Sequence, residues 1–150
     1  MERSIRNIVI VAIILVLVIA TGWYVWSTQH SGPRIIWDNA DENMITLDLV
    51  KPGVTVLPKF TVTGQARGTW YFEASFPVKL LDGTGKEIAA TSAHAKGDWM
   101  TAEFVPFETT LVFIAPETST GTLVFQKDNP SGLLEHDDSV SLPVRFNAHP

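Results

Sequence analysis

The stretch TWYFEASFPVKLLD (Thr69–Asp82) decides the fold. Trp70, Phe72, Ala74, Phe76, Val78 and Leu80 share one parity, and Thr69, Tyr71, Glu73, Ser75, Pro77 and Lys79 share the other. Successive side chains of a strand point to opposite faces, so this alternation describes a strand packed on one side. Pro77 has no N–H to give a neighbour, which places the segment at an edge or a bulge. DGTGK (Asp82–Lys86) follows directly, and its two glycines suit a hairpin turn that needs positive φ.

The same period recurs outward from this segment. Ile45, Leu47 and Leu49 form one set before Lys51-Pro52-Gly53, and Phe60 and Val62 another before Gly64. Met100, Ala102 and Phe104 precede Pro106, Leu111 and Phe113 precede Pro116, and Leu123 and Phe125 precede a polar loop. Val140, Leu142, Val144 and Phe146 close the chain. About seven short strands with one apolar face each, and no amphipathic helix among them, predict an antiparallel β-sandwich.

The N-terminus obeys a different rule. Ile8 to Trp26 carries no charge, and IVIVAIILVLVIA (Ile8–Ala20) is wholly apolar. Residues 8–26 rising about 1.5 Å each would cover about 28 Å as a helix, near the hydrocarbon thickness of a bilayer. Arg3 and Arg6 precede the run, and Trp23, Tyr24 and Trp26 crowd its far end. This pattern puts residues 1–7 in the cytoplasm and the remainder outside. Ala20-Thr21-Gly22 resembles a signal-peptide cleavage site, but the run exceeds an h-region of about 7–15 residues, so an uncleaved anchor is expected. Residues 27–43 are polar and turn-rich apart from Ile35, Ile36 and Trp37, and read as a tether to a domain at 44–147.

Composition excludes several functions. Residues 27–150 hold all but one of the 16 acidic and all but two of the 11 basic side chains, a formal charge of −6 that repels phosphate backbones and argues against nucleic acid. With no cysteine, disulfides and thiolate metal sites are impossible. His30, His94, His136 and His149 are scattered, and no nucleophile elbow or phosphate-binding glycine loop is present, so no enzyme, cofactor or metal is expected. Glu73 and Glu103 fall on polar parities and are expected to face solvent. The run Glu135–Asp138 (EHDD) lacks the spaced ligands of a calcium loop. Trp70 is expected in the core, while Trp99, on the parity opposite Met100, is a candidate exposed binding aromatic.

One loop draws attention. FQKDNPSG (Phe125–Gly132) leaves a strand with Lys127, Asp128, Asn129, Pro130 and Ser131 in succession. Turn chemistry accounts for Asp128, Asn129, Pro130 and Gly132 but leaves Lys127 and Ser131 unexplained.

Taken together, VKPGVTVLPKFTVTGQARG, TWYFEASFPVKLLD, GDWMTAEFVPFETTLVF and LVFQKDNPSGLLEHDDSVSLPVRF resemble the Gmad2 domain family, over roughly residues 44–147. That family is an immunoglobulin-like module of bacterial spore germination proteins and other bacterial envelope proteins. The resemblance implies an immunoglobulin-like sandwich and a non-catalytic interaction module, with the KDNPSG segment as a family feature. A second domain, as in the germination proteins, is not expected, and a role in germination is not implied. The expectation is a single-pass protein of a bacterial cell membrane whose sandwich, in the periplasm or outside the cell, binds a protein or envelope component through Lys127–Ser131 or Trp99. Two alternatives are a peptidoglycan or glycan binder, with Trp99 or Tyr71 stacked on sugar, and a calcium-stabilised spacer.

Overall fold

The computed structural model describes residues 2–29, 32–48 and 50–147, and in the N-terminal helix the side chains of 7, 10 and 12–25. Leu49, His30 and His149 lie outside the described residues, as do the side chains of Arg3, Arg6 and Trp26. The chain divides into two compact units, Met1–Gly32 and Pro33–Pro150.

The first unit is helix α1 (Glu2–Gln29), and its side chains at 12–25 are exposed. Among the described residues no helix is long and apolar enough to cross a membrane. The helix expected at the N-terminus is present, but the described part does not carry the membrane crossing expected over 8–26.

Among its described residues the second unit has nine strands. They are β1 (Ile36–Asp38), β2 (Ile45–Leu47), β3 (Val54–Val56), β4 (Lys59–Arg67), β5 (Ser75–Asp82), β6 (Glu87–Ala95), β7 (Phe104–Val112), β8 (Thr120–Gln126) and β9 (Ser139–Phe146). Hydrogen bonds link them in the order β1-β9-β8-β5-β6-β7-β4-β2, with β3 also on β9. The weak joint is β6–β7, where only His94↔Glu108 and Ala95↔Phe107 pair. Thr109, an inward-facing polar residue, extends that joint by donating its hydroxyl to the Ser92 carbonyl at 3.0 Å.

The sheet folds over at this joint. Phe107 of β7 lies 5.0 Å from Phe76 of β5 and 6.1 Å from Phe125 of β8, centroid to centroid, and Phe113 lies 5.4 Å from Phe146 of β9. These pairs are two, three and four strands apart in hydrogen-bond order, and such residues touch only when the two halves face each other, so the expected sandwich is present. Most strands are antiparallel, but β3 runs parallel to β9 because the chain leaves β2, turns at Lys51-Pro52-Gly53 and crosses to the other layer. The apolar parities of β8 and β9 are buried as expected: Leu123, Phe125, Val140, Leu142, Val144 and Phe146 are all in the core.

Several elements depart from the sequence expectation. β1 and Ile35 belong to the sandwich rather than to a tether, since Ile36–Asp38 pair with β9 and Ile35 packs on the core. Met100 to Glu103 is a loop, and one strand, β7, runs from Phe104 through Pro106 where two were expected. Pro106 fits because its carbonyl accepts from Lys96 N–H at the far end of the short β6–β7 pairing, so the missing N–H interrupts no ladder. Pro77 is not at a sheet edge, since β5 lies between β6 and β8, but the segment does carry an irregularity in its pairing with β6, at Leu80/Leu81. The proline is tolerated because pairing with β8 begins only at Val78.

The largest departure from the expected strands is in Thr69–Asp82. β5 starts at Ser75; before it, Gly68–Trp70 form a turn of 3₁₀ helix, and Glu73 and Ala74 adopt positive φ of 48° and 62°. Trp70 is in the core as expected, but the turn reverses the next two residues. Tyr71 is 4% exposed and donates its hydroxyl to the Val105 carbonyl at 2.7 Å, whereas Phe72 is 42% exposed. The Trp70 indole nitrogen is buried without a partner among the described residues. Burying roughly 200 Å² of ring at about 25 cal/mol/Å² is worth about 5 kcal/mol, more than the about 1–3 kcal/mol of an unpaired N–H. The Asp82–Lys86 hairpin turn forms as expected, with Gly85 at φ 85° and the Asp82 carboxylate accepting from Thr84 and Lys86 amides; its hydrogen bond with the Thr84 hydroxyl chiefly holds it below the usual carboxylate range.

Two predictions follow from this packing. A Cβ on Gly64 would fall on the Thr46 carbonyl and the Phe107 ring, and one on Gly121 on the Leu81 carbonyl and the Phe146 ring. Backbone cannot retreat as a flexible side chain can, so Gly64→Ala and Gly121→Ala each lower unfolding free energy by about 1–3 kcal/mol or more in urea titrations. Alanine at Gly85→Ala meets no atom and is limited to the cost of its backbone conformation.

Burial pushes the Tyr71 phenol up to about 12, opposed by a weaker backbone hydrogen bond at Ala66. The unfolded chain therefore loses this proton first, near pH 10. Its contribution to stability is complete below pH 10 and is lost as pH rises toward 12. The unfolding free energy of the wild type should fall more steeply than that of Tyr71→Phe across this window, and equal slopes would contradict the assignment.

Candidate functional site

The loops that follow β4, β6 and β8 emerge at one end of the sandwich, as the pairs Arg67↔Phe104, Ser75↔His94 and Gln126↔Ser139 require. There a cleft of about 390 Å³ opens between two walls. One wall is Lys127 to Ser131, closed by His136. The other is Thr69, Tyr71 and Phe72 from the turn before β5. The walls are tied together by the Asp128 amide, which donates to the Trp70 carbonyl at 3.1 Å.

Lys127 and Ser131, which turn chemistry left unexplained, have structural partners. Lys127 Nζ pairs with Asp138 Oδ2 at 2.6 Å, and its amide donates to the Asp138 carbonyl at 2.9 Å, so one residue pair clamps both ends of the loop. The two side chains are 26% and 18% exposed, which shields the pair from the screening that weakens surface ion pairs. Ser131 donates its hydroxyl to Asn129 Oδ1 and receives the Leu133 amide at 3.3 Å.

Asn129 is the hub of the loop. Its amide nitrogen donates to the Leu133 carbonyl at 2.8 Å and to Asp137 Oδ1 at 2.7 Å, while its oxygen accepts from the Ser131 amide and hydroxyl. Gly132 completes the turn at φ 66°, its amide donating to the Asn129 carbonyl. Asn39 adds a bond from its side-chain nitrogen to the Asp137 carbonyl at 3.1 Å. A loop this thoroughly bonded presents its remaining groups in fixed positions.

Asp128 is the exception. Its backbone is bonded, but among the described residues its carboxylate has neither a hydrogen-bond nor an ion-pair partner, and it lines the cleft. Thr69 contributes a hydroxyl in the same condition, and Phe72 an exposed ring.

Two arrangements resemble chemistry. Ser131 Oγ lies 3.1 Å from His136 Nδ1, as a nucleophile lies from its base. A hydroxyl has one proton, and here it points at Asn129 Oδ1, so His136 faces a lone pair and is not placed to take that proton. In the EHDD run, Asp137 is bonded to the Asn129 amide and Asp138 to the Lys127 ammonium, so two of the carboxylates needed by a calcium site already have partners. No group of three potential metal ligands occurs among the described residues.

Of the predicted site residues, the cleft brings together Lys127, Asp128, Asn129, Pro130 and Ser131. Trp99 does not line it; this residue sits in the loop between β6 and β7, half-buried against the core. Tyr71 lines the cleft, but its hydroxyl is committed to Val105, which removes it as an exposed stacking platform. Thr69 and Phe72 are not legible as site residues, because the alternation of Thr69–Asp82 conceals a turn and nothing in sequence links it to residue 128, and His136 reads there only as one of four scattered histidines. A depression of similar size on α1, lined by Ala12, Ile13, Val16 and Leu17, has no polar group to orient a ligand.

Comparison with curated proteins gave no match, and comparison with solved structures gave none. One protein-family model matches residues 51–132, more than half of the chain, and is described as the immunoglobulin-like domain of bacterial spore germination. The match covers β3 to β8 and ends at Gly132, so both walls of the cleft except His136 lie within it. The folded-over sheet and the matched span agree, and the chain belongs to the Gmad2 immunoglobulin-like family.

Proposed function

We propose that this chain is a membrane-anchored, non-catalytic module of the bacterial envelope, and that its loop-end cleft binds a protein or other envelope component. The observation that carries this reading is the uncommitted Asp128 carboxylate in a loop where the neighbouring polar side chains are bonded to each other. A rigid frame with few free polar groups favours recognition over turnover. The Ser131 proton directed at Asn129 supports the non-catalytic part.

The anchor rests on the charge-free sequence from Ile8 to Trp26, on the flanking Arg3 and Arg6, and on a helix whose side chains at 12–25 are exposed and mostly apolar. With that orientation the N-terminus is cytoplasmic and the sandwich lies in the periplasm or outside the cell.

Photo-crosslinking in cells tests the binding role. Pro130 is exposed and makes no side-chain hydrogen bond, so a crosslinking residue there leaves the loop intact, and position 86 in the β5–β6 turn is the control. A discrete adduct from 130 and none from 86 is expected. Adducts equal at both positions, or absent from both in a folded and exported protein, would remove the cleft as a binding surface.

A further inference from the structure

The charge around the cleft narrows what it takes, given the reading of the cleft as a recognition surface. From Lys127 to Asp138 the chain carries Asp128, Glu135, Asp137 and Asp138 against a single Lys127, whose ammonium is held by Asp138. The only other cationic candidate on the walls, His136, lies 4.0 Å from Glu135. An anionic ligand would meet this field with no free cation to receive it.

We propose that the cleft receives an arginine side chain of a protein partner, with Asp128 as its carboxylate and Phe72 as the ring on which it stacks. Three features favour arginine over other cations. A carboxylate without competing donors can accept two parallel N–H groups from a guanidinium, which an ammonium does not offer. Phe72 lines the cleft with 42% of its surface exposed, and a planar cation over such a ring gains both electrostatic attraction and contact area. The Thr69 hydroxyl adds an acceptor on the same wall. The chain uses this combination internally as well: the Arg67 guanidinium lies 4.0 Å over the Phe104 ring and 3.7 Å from Glu103.

The test uses the full chain, isotopically labelled in detergent micelles, with a capped tri-arginine peptide as probe and capped tri-glutamate and an N-acetylglucosamine oligomer as comparisons. Saturable shifts of the amides of 69–72 and 127–136 are expected with tri-arginine and not with tri-glutamate. Because the Asp128 carboxylate has no partner among the described residues, Asp128→Asn should leave the strand amides in place, yet weaken tri-arginine binding about tenfold or more, the cost of losing a charge-assisted pair. Phe72→Ala should weaken it several-fold. Unmoved cleft amides, or equal affinity in Asp128→Asn, would overturn the arginine assignment. Shifts produced by the oligosaccharide alone would overturn it while leaving the cleft as a binding site. Silence with every probe, joined to absence of a crosslink from position 130, would remove both.

Discussion

Everything at the loop end depends on the contact between Phe76 and Phe107, whose rings meet edge-on at 5.0 Å and 79°. These residues sit on opposite layers, and the β6–β7 joint between the layers pairs only His94↔Glu108 and Ala95↔Phe107, with one further backbone bond from Lys96 to Pro106. The aromatic contacts therefore hold the sandwich closed. Phe76 also meets Trp70 at 6.3 Å and Tyr71 at 5.1 Å, while Phe107 reaches Phe125, the residue two before the Lys127 clamp. Both walls of the cleft are thus extensions of one cluster of rings. Buried aromatic pairs of this geometry add about 0.5–1.5 kcal/mol each beyond their area, so the walls inherit the rigidity of the core.

Much of this was legible in the sequence, for identifiable reasons. β8 and β9 bury Leu123, Phe125, Val140, Leu142, Val144 and Phe146 on one parity, which is the pattern of a strand with one wet face. β6 left no such mark: in EIAATSAHA only Ala93 is fully buried, and small residues give alternation little contrast. β1 and β3 are three residues each and were hidden in stretches rich in turn residues. The stretch Thr69–Asp82 misled in a more instructive way. Its period of two is real in β5, but before Ser75 the same spacing is produced by a 3₁₀ turn followed by two residues of positive φ, and composition does not distinguish the two.

The site was half legible for a related reason. Lys127 to Ser131 are adjacent in sequence and chemically conspicuous, so one wall could be read directly. The other wall comes from a turn more than fifty residues earlier and is brought alongside only when β5 and β8 pair. The partners that explain Lys127 and Ser131, namely Asp138, Asn129 and His136, are local, yet their pairing requires the loop to fold back on itself through Gly132. Once those bonds are counted, the loop is both a well-made turn and a frame, and the two descriptions differ only in whether Asp128 meets a partner.

The central claim is that the loop between β8 and β9 is as fixed as the strands that carry it. The most direct measurement is 15N relaxation of the backbone amides in the unliganded full chain. The account predicts order parameters near about 0.85 for Asp128, Ser131, Gly132 and Leu133, matching β8 and β9. Values below about 0.6 at these amides, with the strands still rigid, would show that the bonds of Asn129 and Lys127 do not hold the loop and would contradict the claim.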